Sequence, residues 1–116
     1  MDLKRVRQLV ELAQMRSDAE MKRFSAFRAH VERMAAQRAD CQGRIDAIYR
    51  ADAPFSVAEA RLANSESGRL GRAILQADAE IARLKPGYDA ARQRAVREFG
   101  RVQVLKQLAE GRTGKG

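Results

Sequence analysis

Ala51-Asp52-Ala53-Pro54-Phe55-Ser56-Val57-Ala58-Glu59 is the stretch in which one helix ends and another begins. Pro54 sits where a continuing helix would need a backbone donor, so a helix arriving from upstream stops before it. Ser56 and Glu59 have the S-x-x-E spacing of a capping box, and Phe55 stands where a hydrophobic staple residue precedes the cap.

Upstream of this punctuation, alternating steps of three and four from Leu3 visit Val6, Val10, Ala13, Ser17, Glu20, Phe24, Phe27, Val31, Met34, Arg38, Cys41, Ile45 and Ile48. Eleven of these fourteen positions are apolar and the register never slips, which is the pattern of a coiled-coil seam. Downstream, the same stepping from Ala60 gives Ala63, Ser67, Leu70, Ile74, Ala77, Ile81, Leu84, Tyr88, Ala91, Ala95, Glu98, Val102, Leu105 and Ala109. Phe99 and Leu108 lie beside that stripe. Two helices joined by so short a connection run antiparallel. The expected fold is therefore all-α: an antiparallel two-helix coiled-coil hairpin forming one domain over residues 1–110. Its first helix runs from about 2 to 50, its turn covers 51–55, and its second helix runs from about 56 to 110. The glycine-rich segment 111–116 reads as a disordered tail.

Lys85-Pro86-Gly87-Tyr88 interrupts the second helix chemically while leaving its stepping in phase, so a kink is expected at Pro86-Gly87. Replacing both residues with alanine is expected to raise thermal stability by removing penalties of roughly 3 and 1 kcal/mol. Reflection about Ala53 sets Pro86-Gly87 opposite Ser17 and Glu20, and Ser67 opposite Arg38. On the outer faces, Asp18 with Lys22, Asp40 with Arg44 and Asp46 with Arg50 have the favourable i,i+4 order.

Composition agrees with a narrow seam rather than a wide core. The 116 residues include no tryptophan and two prolines, aromatics are 5%, charged residues 33% and mean hydropathy −0.52. One cysteine excludes an internal disulfide. No apolar run approaches the roughly 18 residues a membrane span needs, and Met1-Asp2-Leu3-Lys4-Arg5 leads directly into the amphipathic pattern, so a cytoplasmic protein is expected.

Chemistry-bearing constellations are sparse. His30 is the sole histidine and sits at the edge of the seam, where a solvated rim position accounts for it. Cys41 occupies a seam position and reads as a small hydrophobe. Gly114-Lys115 lacks the spacing of a phosphate-binding loop. The carboxylates are distributed without a pocket, so no acid/base pair is indicated. These readings lead to a non-enzymatic protein with no catalytic, cofactor-binding or metal-binding residues.

Charge is the feature that points to a partner. The net charge of +8 is concentrated at the two ends: residues 1–16 carry +2, residues 92–116 carry +5, and the 75 residues between them hold 12 basic against 11 acidic side chains. If the ends meet, Lys4, Arg5, Arg7, Arg94, Arg97, Arg101 and Lys106 form a basic docking region for an acidic partner. Solubility alone could also explain a positive end. Nucleic acid is the less favoured partner, because aromatic interleaving and helix-turn-helix spacing are missing. A generic dimerising coiled-coil adaptor is a further alternative, and the chain could be a monomer or a homodimer.

The opening Arg7-Gln8-Leu9-Val10-Glu11-Leu12-Ala13, the charged, alanine-rich helix after it, and the closing Arg97-Glu98-Phe99-Gly100-Arg101-Val102-Gln103-Val104-Leu105-Lys106-Gln107-Leu108-Ala109-Glu110 resemble the FliJ family of flagellar export proteins and its YscO-type relatives in type III secretion. That resemblance implies a two-helix stalk whose end bearing both termini enters the ring of an export ATPase, with contacts to the export gate and to export chaperones. It implies a flagellar or type III export accessory, cytoplasmic and peripheral to the inner membrane through the apparatus. The chain departs from the family at Pro86-Gly87, where members are expected to keep their second helix continuous.

Overall fold

The computed structural model describes residues 2–51 and 56–114, the last three of these as backbone only. Two helices make up the fold, α1 over Leu3–Arg50 and α2 over Val57–Gly114, packed against each other with no strand among the described residues. Each helix start has its own local cap. Asp2 Oδ1 accepts from the Lys4 N–H at 3.3 Å, satisfying one of the donors left open at the N-terminus of α1. Ser56 Oγ accepts from the Glu59 N–H at 3.1 Å, the bond its capping spacing calls for. The expected turn residues Asp52 to Phe55, including the staple, lie outside the described residues.

The course of α2 agrees with expectation at Pro86 and differs at its end. α2 passes unbroken through Pro86, whose missing N–H costs one ladder bond without ending the helix. It also continues to Gly114, where a disordered tail was expected from residue 111; Lys115 and Gly116 lie outside the described residues. No glycine in the described chain has positive φ, so none of them acts as a left-handed helix stop.

The seam is the one the stepping predicts. Each of the fourteen α1 positions and fifteen α2 positions is buried or partly buried. Packing divides the chain into two compact units, a turn unit of residues 29–85 and a terminal unit of residues 1–28 with 86–116.

In the turn unit, Cys41, Leu70 and Ile74 form the core, with Ile45, Ile48 and Ala73 packed around it. Leu70 is 1% exposed, a burial worth about 1.5–3 kcal/mol for a leucine side chain. Cys41 thus behaves as the small hydrophobe its seam position implies. At the rim, Arg38 Nε donates to Asp78 Oδ1 at 2.6 Å, and His30 Nε2 lies 3.7 Å from Glu80 Oε1.

In the terminal unit, Val6, Ala13, Ala91, Ala95 and Val102 are buried with Ser17. Small residues predominate on both helices at this level. The Phe24 and Tyr88 rings sit 5.3 Å apart at 59°, a tilted arrangement favoured by ring quadrupoles. Phe27 fills the space that Gly87 leaves, so the glycine is a packing device in the middle of a helix.

These contacts correct the expected facing residues. Gly87 meets Phe27 rather than Ser17 and Glu20; Glu20 pairs with Arg94; Arg38 reaches Asp78 rather than Ser67. The partners lie about two to three helical turns further along α2 than reflection about Ala53 places them. A six-residue connection, 51–56, can reach roughly 20 Å when extended. It therefore does not force the two helix ends level, and side-chain packing sets the register instead.

The surface pairs also sort differently from expectation. Asp40 and Arg44 form their ion pair at 3.6 Å. Asp18 and Asp46 instead accept from the preceding-turn glutamines, Gln14 at 2.9 Å and Gln42 at 3.0 Å, and Arg50 Nε turns to the Asp46 backbone carbonyl at 3.2 Å.

Candidate functional site

All seven expected docking residues belong to the terminal unit, because antiparallel packing returns the end of α2 to the start of α1. Lys4, Arg5, Arg7, Arg97, Arg101 and Lys106 are exposed, and Arg94 is partly covered. They are not equivalent electrostatically. Arg101 Nη1 donates to Glu98 Oε1 at 3.0 Å, one turn back on the same helix. Arg94 Nε lies 3.5 Å from Glu20 Oε2, and both of these atoms are sealed from solvent without a hydrogen bond to either. Those two arginines are engaged within the fold. Lys4, Arg5, Arg7, Arg97 and Lys106 meet no acidic side chain at ion-pair distance among the described residues, so their charge is presented outward.

Stepping along the seam finds buried positions but not what the flanks do once two helices are paired. On one flank of the terminal unit, Leu9, Leu12 and Ala13 of α1 and Val104 and Leu105 of α2 enclose an open apolar groove of about 640 Å³, bordered by Arg16, Glu98 and Arg101. Leu9, Leu12 and Val104 stay 38%, 48% and 57% exposed. Gly100 contributes to the groove by carrying no side chain into it. The other flank carries a smaller groove of about 270 Å³ lined by Met21, Phe24, Val96 and Phe99. The sequence did hold a signal for the first groove. Arg5, Leu9, Leu12 and Arg16 step by four, three and four along α1, as do Arg97, Arg101, Val104 and Leu108 along α2. Each is a second stripe beside the seam.

The turn unit is nearly neutral, with nine basic against eight acidic side chains over residues 29–85. There Glu66 accepts from Arg69 Nε at 3.0 Å and Glu80 from Arg83 Nε at 2.9 Å. These bonds hold both carboxyls below their ordinary value of 4.5, and push the two guanidinium groups up. Among the described residues no group of His, Cys, Asp and Glu is arranged to hold a metal ion, and no helix is long and apolar enough to cross a membrane.

No family model, curated protein or solved structure matches the chain.

Proposed function

We propose that this chain is a non-enzymatic docking accessory of a flagellar or type III protein export apparatus. Its terminal unit engages an acidic surface on the export ATPase ring, and the export gate and export chaperones are its further protein partners. It works in the cytoplasm, peripheral to the inner membrane through that apparatus. The observation that supports this reading is the gathering of both basic chain ends into one unit, with five of its cations facing outward and unpaired among the described residues. The identity of the partner comes from the resemblance in the opening and closing heptads. An exposed cationic surface steers association with an acidic partner over about one Debye length, roughly 8 Å at physiological ionic strength.

Binding to a purified export ATPase ring tests the proposal. Reversing Arg7, Arg97 and Lys106 to glutamate is expected to abolish binding while leaving helicity unchanged, since none of the three is buried. Reversing Arg44, Arg50 and Arg61 changes net charge equally but lies in the turn unit, and is expected to leave binding intact. Equal loss in both variants would mean that net charge alone drives association and would favour a nucleic-acid partner. No loss in either would place docking away from the basic end.

A further inference from the structure

We infer that the groove between Leu9, Leu12, Val104 and Leu105 is a docking site for an acidic amphipathic helix of a partner protein. The inference goes beyond the ATPase assignment and does not depend on it. A two-helix packing buries one stripe per helix, yet here each helix of the terminal unit carries a second stripe beside the first whose middle is apolar and exposed, Leu9 and Leu12 on α1 and Val104 on α2. The two second stripes converge on a single recess of about 640 Å³. A third helix laid along it would cover the exposed leucines and valine in the way helical peptides fill apolar grooves.

The chemistry of the rim selects the occupant. Arg16 has no acidic partner among the described residues, and the one bordering carboxylate, Glu98, is 16% exposed and already taken by Arg101. The stripes continue into Arg5 on α1 and Arg97 on α2, both exposed. The groove is thus an apolar floor with a cationic border. Its complement is a helix with leucine-like residues on one face and Asp or Glu beside them. A second copy of this chain would bring the same cations against each other, and a bases-in strand would find no aromatic ring to stack on. A bilayer surface is flat, whereas this apolar area is recessed between two helices.

The probe is a synthetic helical peptide with leucine on one face and glutamate on both sides of it, compared with a peptide in which lysine replaces every glutamate. The full chain is expected to bind the acidic peptide, more weakly at high salt, and to bind the basic one at least roughly tenfold less well. Leu12→Gln with Val104→Gln, both at exposed positions, is expected to weaken binding by roughly tenfold or more. Arg16→Glu with Arg101→Glu is expected to invert the preference between the peptides. Val96→Gln, in the smaller groove, is expected to change nothing. Equal binding of both peptides, or binding insensitive to the Leu12 and Val104 substitutions, overturns the proposal. So does self-association that those substitutions abolish, which would assign the groove to a second copy. Binding to phosphatidylglycerol vesicles with the same dependence and no peptide preference would assign it to a membrane. Peptide binding that survives alongside failure to bind the export ATPase would leave the groove standing and remove the export reading alone.

Discussion

A Cβ added at Gly87 would lie 2.7 Å from both Cε1 and Cζ of Phe27, closer than real contacts allow. Two effects therefore oppose each other at this residue. Alanine gains about 1 kcal/mol of helix propensity over glycine, while overpacking a seam costs about 1–3 kcal/mol. Phe27 is a half-buried seam residue whose ring lies directly over Gly87, so the second effect is expected to win. Gly87→Ala should lower the melting temperature, and Phe27→Leu combined with it should recover part of the loss in a double-mutant cycle. Pro86 is exposed, so Pro86→Ala alone should raise the melting temperature by removing a penalty of up to about 3 kcal/mol. The joint stabilisation expected from the sequence thus separates into two opposite signs. A gain in stability for Gly87→Ala would show that the ring moves aside freely.

Register belongs to the pair of elements, and its observed value is open to direct test. On a Cys41→Ala background, Glu20→Cys with Arg94→Cys should be joined within one chain by a short bismaleimide. Glu20→Cys with Pro86→Cys, the pair that reflection about Ala53 would align, should not, because eight residues of helix separate positions 86 and 94 by about 12 Å. Crosslinking of the second pair alone would restore the reflected register. The contrast explains what was readable beforehand. Helix type, the capping serine and all the seam positions follow from local spacing, where each residue's neighbours are three or four places away. Which α1 residue faces which α2 residue depends on how Phe24 and Phe27 fit against Gly87 and Tyr88, and no periodicity within either helix encodes that. The gathering of the basic residues in one unit was legible through the clustering of charge at the two ends of the chain. The engagement of Arg94 by Glu20 was not, because it depends on the cross-helix register, and the groove appears only when two flanks are brought side by side.

At the scale of the whole molecule, acidification acts on a chain that is already strongly positive. Glu66 and Glu80 are held below their ordinary value of 4.5 by Arg69 and Arg83, so in the folded state they bind their protons less readily than in the unfolded one. Their contribution is present above 4.5 and disappears as pH falls through the lower folded value. Protonating carboxylates also raises the net charge above +8 and adds self-repulsion. The melting temperature should stay level from neutrality to about pH 5 and then fall. Glu80→Gln should remove part of that fall, and an unchanged acid profile in this variant would dismiss the Arg83 bond as its source. The composition of the terminal unit has a consequence in time as well. Residues 1–28 are made before their packing partners, which begin at Pro86. The turn unit closes shorter loops and can form while synthesis continues. At about 5–20 residues per second, the residues 29–85 that separate the two parts take roughly three to eleven seconds. For at least that interval the nascent α1 holds Val6, Val10 and Ala13 without their partners, and the stretch after Lys85 decides when they are covered.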